Sequence, residues 1–129
     1  MSEKTMPSGP GTFCWMELMT SDAGKAGHFY TKLFGWTTEE MNMGDFVYTV
    51  FKKNDQPVAG MMKMPPGMEN VPPHWLSYVA VPNCDAATTQ ARELGATGCA
   101  EPADIPNIGR FSVITDPNGA SICLFQGIG

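Results

Sequence analysis

Glu17 is the residue with the most capacity for chemistry. It alternates with Trp15 and Met19, so a strand here puts the three on one face. A carboxylate among such neighbours must be paired or have its pKa raised. Glu17 therefore reads either as a general base or ligand acceptor, or as the ion-pair partner of Lys63. Trp15, Trp75 and Phe125, with Tyr48 or Phe46, offer aromatic area on which a planar ligand could stack or which could fill a core. Ser77 would sit beside Trp75 as a polar contact. Arg110 could clamp an anionic group through its planar fork, or serve only the adjoining turn. Cys123 shares a strand face with Ser121 and Phe125. A thiol nucleophile needs a lowered pKa and access, and no neighbouring His or Arg supplies the first, so Cys123 reads as a small core residue. Cys14 is expected to point away from Trp15, toward a helix-covered core.

These residues fall within a chain organised by an internal repeat. Trp15-Met16-Glu17-Leu18 matches Trp75-Leu76-Ser77-Tyr78, Gly35 matches Gly95, and Pro57 matches Pro117, all 60 positions apart. Module one is read as residues 12–64, the proline-rich stretch 65–73 as a linker and module two as 74–127, preceded by a flexible tail at 1–11. In module one an apolar strand at 12–19 leads to Asp22, placed to cap a helix over 23–34. Ala26, Phe29, Tyr30 and Leu33 form its apolar stripe, and Gly35 ends it. Strands follow at 37–42, 45–52 and 58–64, with Asn54-Asp55 in the last turn. Module two repeats the order: a strand at 75–81, a helix capped by Asp85 and stopped by Gly95, and strands near 97–101, 109–115 and 120–126. Asp116-Pro117-Asn118-Gly119 is a turn. The fold class is α+β, a β-α-β-β-β pattern used twice. Each helix covers one sheet face, and the other faces are expected to enclose a cleft.

The pattern resembles the vicinal oxygen chelate superfamily of glyoxalases, bleomycin-resistance proteins and extradiol dioxygenases, and within it small bacterial glyoxalase-like proteins. The segments that carry the resemblance are Trp15 to Asp22, His28 to Trp36, His74 to Val81, and Gly109 to Ala120. Metal-dependent relatives take one His, Glu or Gln ligand from the first and last strand of each module. The resemblance puts those positions on Trp15, on Trp75 or its neighbour Leu76, on Lys63 and on Cys123. Only Cys123 is a credible donor, so no metal is expected.

Composition narrows the partners. The chain has 129 residues, 8 Lys+Arg against 13 Asp+Glu, and a net charge of -5. Nucleic acid and anionic membrane surfaces are disfavoured, because both need clustered cations. The only histidines are His28 and His74, and neither has metal-motif spacing. No phosphate-binding glycine loop occurs, so no cofactor is expected. Four cysteines without a CxxC pair, and no leader-like or membrane-length apolar run, are read as a reduced, cytoplasmic setting. A homodimer is expected. The leading expectation for function is metal-free binding of a small apolar or aromatic molecule in the inter-module cleft. Two alternatives stay open: a lyase, isomerase or oxygenase-like enzyme using Glu17 or an unrecognised metal site, and a structural or partner-binding domain.

Overall fold

The computed structural model describes residues 8–67, 70–105 and 108–128. Residues 1–7 of the expected tail and 68–69 of the expected linker lie outside the described residues. Two compact units are present. One spans Trp15–Leu76, and the other joins Ser77 onward to the segment that ends at Cys14.

The Trp15–Leu76 unit is built on β1 (Phe13–Thr20), α1 (Ala23–Phe34), β2 (Thr37–Asn42), β3 (Val47–Lys53) and β4 (Gln56–Lys63). Its strands lie in the order β2-β3-β4-β1. The β4–β1 pair is parallel and the other pairs are antiparallel. Local chemistry sets the element ends. Asp22 accepts a bond from the Lys25 amide at 2.9 Å, satisfying a first-turn donor. Gly35 closes α1 at φ 73 and donates to the Thr31 carbonyl. Asn54 and Asp55 both take positive φ, 52 and 66, as a two-residue hairpin turn requires.

Leu18, Phe51, Ala59 and Met61 form the core of this unit beneath Ala23, Ala26, Tyr30 and Trp36. Tyr30 meets Phe51 edge-on at 6.2 Å. The expected four-residue stripe of α1 is corrected here. The small side chains of Ala23 and Ala26 let the helix lie close to the sheet. The arc centred on them leaves Phe29 and Leu33 on the flank, 58% and 59% exposed.

The other unit contains the end of β5 (His74–Ala80), then α2 (Cys84–Glu93), β6 (Gly98–Cys99), β7 (Ala103–Ile105), β8 (Gly109–Thr115) and β9 (Ser121–Gly127). β5 and β9 pair in parallel, and β8 runs antiparallel to β9, β6 and β7. The second module is therefore β-α followed by a strand broken into β6 and β7, then β8 and β9. The chain before β1 is not loose throughout: Gly11 donates to the Ala80 carbonyl and Ala80 donates to that of Thr12, at 2.8 and 2.9 Å. Cys14 is exposed, not directed into a core as expected.

Polar bonds hold α2 down. Thr88 Oγ1 donates to the Cys84 carbonyl and shares a hydrogen bond with Ser112 Oγ, both at 2.7 Å. The Cys84 amide donates to Gln126 Oε1, also at 2.7 Å. Cys84, Thr88 and Ser112 are almost wholly buried. The cap of α2 is Asn83, whose side chain accepts from Ala86, rather than Asp85. Asp85 stands in the first turn and accepts from Arg110 Nε and Nη2 at 3.1 and 3.0 Å. At the β8–β9 turn, amides of Ala120 and Asn118 hold the Asp116 carboxyl below the usual carboxylate range.

This assignment of the cap predicts two unequal losses. Asn83→Ala should lower the unfolding free energy by about 1 kcal/mol. Asp85→Ala, at an exposed ion pair, should cost under about 0.5 kcal/mol. Urea unfolding followed by circular dichroism measures both.

Candidate functional site

The β1–β4 ladder sets Glu17 opposite Gly60, Leu18 opposite Met61 and Met19 opposite Met62. Leu18 and Met61 face α1. Strand alternation therefore turns Glu17, Met19, Gly60 and Met62 to the opposite face. Thr49 is opposite Met61, so its neighbour Tyr48 shares the Glu17 face.

Three side chains interlock there. Trp15 Nε1 donates to the Tyr48 hydroxyl at 2.8 Å. The hydroxyl is in turn hydrogen-bonded to Glu17. Burial, and then the charge of Glu17, pushes the Tyr48 phenol above its usual range, so it stays protonated. Indole N–H can only donate, which leaves the phenolic proton directed at the carboxylate. Glu17 is only 7% exposed. The arrangement requires Gly60: a Cβ at that position would collide with the Tyr48 hydroxyl and ring. Glycine inside an apolar strand signals such a close approach, so Ala59-Gly60-Met61 held a legible clue.

In the other unit, Tyr78 pairs with Cys123, Ala80 with Phe125 and Phe111 with Phe125. Ser112 and Gln126 bond to α2, so Tyr78, Phe111, Cys123 and Phe125 occupy the face turned from α2. The Tyr78 ring lies 6.5 Å from Phe111 and 6.4 Å from Phe125. Cys123 has no exposed surface. Sequence reasoning did not single out Gly60, Met62, Tyr78 or Phe111.

The ladders also revise the repeat register. The caps Asp22 and Asn83 are 61 positions apart. The pair Glu17·Gly60 corresponds to Tyr78·Cys123, which places Gly60 and Cys123 63 positions apart. The difference arises between the helix and the final hairpin: Val50 pairs with Gly60 and Val113 with Cys123, so β3 and β8 already stand 63 positions apart. Four expectations change as a result. Trp15 corresponds to Leu76, not Trp75. Trp75 instead lies against α1, its Nε1 donating to the Tyr30 hydroxyl at 3.3 Å with ring centroids 5.4 Å apart. Lys63 pairs with Thr20 on the α1 side, so it cannot partner Glu17. Ser77 and Arg110 share the α2 side, where Arg110 is held by Asp85 and Asp104.

Lys63 lies instead at a recess of about 1120 Å³ within the Trp15–Leu76 unit, with Glu40, Asp45, Phe46, Thr49 and Val71 among its walls.

With this geometry in place, residues 12–124 match the Glyoxalase/Bleomycin resistance protein/Dioxygenase superfamily model. The chain belongs to this superfamily. Among superfamily-type solved structures, methylmalonyl-CoA epimerase from Mycobacterium tuberculosis is similar at a TM-score of 0.63 and 13% identity, covering 96% of this chain and 94% of that one. A Streptomyces coelicolor methylmalonyl-CoA epimerase in complex with 2-nitronate-propionyl-CoA aligns at 0.61 and 13%, over 94% of this chain and all of the other. These likenesses concern the fold. In sequence, the chain is 41% identical to CFP32 of Mycobacterium tuberculosis, a candidate glyoxylase, over 90% of its own length. It is 36% identical to the anthracycline biosynthesis protein DnrV of Streptomyces peucetius, over 91%. The chain spans only 44% and 42% of those relatives.

The superfamily resemblance implies a divalent metal, and the donor set can be tested against it. With the revised register, the first- and last-strand positions are Trp15, Gly60, Leu76 and Cys123. Indole, a missing side chain and an alkyl group offer no lone pair to a cation, and the space above Gly60 belongs to Tyr48. Among the described residues, no group of three or more His, Cys, Asp or Glu converges. These residues do not fit the metal.

The raised phenol pKa has a pH consequence. A folded pKa above the ordinary Tyr value of about 10 gives stability that is present below pH 10 and lost as pH rises beyond it. Tyr48→Phe should flatten part of that alkaline decline in unfolding free energy between about pH 9 and 11.

Proposed function

We propose that this chain is an isomerase-type enzyme acting on a small organic molecule, with Glu17 as the base that moves a proton at a carbon next to a carbonyl. The observation that carries this reading is the Trp15–Tyr48–Glu17 chain of hydrogen bonds on Gly60. It fixes one carboxylate in a single orientation with a neutral donor behind it, as a positioned general base requires. Similarity of fold to epimerases supports the choice of reaction class. No step in it needs the metal that the donor set does not fit. Glu17 would take the α-proton, leaving the electron pair on the enolate, and isomerisation follows when a proton is delivered to the opposite face of that carbon or to a neighbouring carbon. Trp15 and Tyr48 are positioning residues, because they act through Glu17.

A pure binding role is the second reading. The recess beside Lys63 favours it, since Phe46, Val47 and Val71 give it apolar walls suited to a small ligand.

The test is proton exchange. A panel of short acyl thioesters and 2-substituted ketones is incubated with the protein in heavy water, and loss of the α-proton signal is followed by NMR. Wild type should exchange at least one member of the panel. Glu17→Gln, which keeps the side-chain shape, should slow exchange by about 100-fold or more. Tyr48→Phe should shift the pH profile of exchange without abolishing it. Equal exchange by wild type and Glu17→Gln, or none by wild type, would sink the enzymatic reading and leave the binding one.

A further inference from the structure

The flank of α1 that the sheet leaves uncovered is unusual in composition. Phe29 and Leu33 are 58% and 59% exposed, and Phe34 is 48% exposed. Exposed Lys25, His28 and Lys32 surround Phe29, and α1 contains no acidic residue. Aromatic area ringed by charge, on a chain that is acidic overall, has the make-up of an interface centre rather than a solvated face.

A complementary surface occurs on α2 of the same chain. Asp85, Ala86, Thr89, Gln90 and Glu93 line its exposed side around a shallow depression of about 600 Å³. Ala86 and Thr89 are the smallest side chains of this lining, and they fall in sequence between the acids Asp85 and Glu93. Asp85 and Asp104 share Arg110, so that end keeps a negative balance.

Spacing matches as well as charge. At about 1.5 Å per residue, Lys25 and Lys32 lie about 10.5 Å apart along α1, and Asp85 and Glu93 about 12 Å apart along α2. An antiparallel crossing sets Lys25 against Glu93 and Lys32 against Asp85. Phe29, between the two lysines, then meets Ala86 and Thr89, between the two acids.

We infer that α1 of one copy of this chain docks on α2 of a second copy, with Phe29 as the anchor in the Ala86–Thr89 depression and Lys25–Glu93 and Lys32–Asp85 as the flanking pairs. The occupant is a second copy because the chain itself carries both complementary surfaces. Every copy presents a knob and a seat, so each copy can give one such contact and receive another.

Sedimentation equilibrium of the full chain between about 1 and 100 µM tests this. Wild type should associate in that range. Phe29→Glu should weaken association by tenfold or more, with an unchanged circular dichroism spectrum since Phe29 is mostly exposed. Lys25→Glu and Glu93→Lys should each weaken it, and the doubly substituted chain should recover most of the loss. A wild type that stays monomeric at the top concentration would overturn the proposal. So would undiminished association of Phe29→Glu, or a double variant no better than its parents.

Discussion

A carboxylate withdrawn from water must be given hydrogen-bond donors, and much of the Trp15–Leu76 unit can be read as the means of doing so for Glu17. The donor is the Tyr48 hydroxyl, which itself needs a partner and finds it in the Trp15 indole. That hydroxyl reaches the carboxylate only by lying across the backbone of β4, and β4 allows it only at Gly60. The parallel β1–β4 pairing then fixes the register that brings Glu17 to the same level. Loss of any one of these would leave a buried polar group with fewer partners, the more costly outcome inside a protein.

The two units solve the packing of a helix on a sheet by different chemistry. Under α1 the contact is apolar and aromatic, with Phe51 at its centre. Under α2 it is hydroxyls, a thiol and an amide, joined by short hydrogen bonds between Thr88, Ser112, Cys84 and Gln126. Hydrogen bonds are directional where apolar contact is not, so α2 is held in one register while α1 depends on shape.

The order of strands and helices was legible because local signals were strong. Asp22, Gly35 and Asn54-Asp55 act within a few residues of themselves, and the structure places them as their chemistry requires. The facing of the site residues was less legible. Whether Lys63 meets Glu17 depends on strand parity, and parity depends on a pairing register that a match of similar letters cannot fix. One position of slip moved Trp75 from the Glu17 face to the side of α1, and three moved the counterpart of Cys123 from Lys63 to Gly60. Tyr48 was named among the aromatic candidates, yet its role needed the third dimension, because strand alternation links positions 15 and 17 but nothing in the sequence links either to 48 or 60. Cap assignment failed for the same kind of reason: Asn83 and Asp85 are both competent caps, and Arg110, distant in sequence, claims Asp85.

Gly60 also constrains how this chain could diverge. A side chain with a metal donor at that position would occupy the volume of the Tyr48 hydroxyl, so it could be accepted only in a background where Tyr48 had already become small. A small residue at 48, in turn, would strip Glu17 of its donor before any cation arrived to neutralise it. The two states are separated by a valley that single substitutions cross poorly, and positions 48 and 60 should be inherited as a pair.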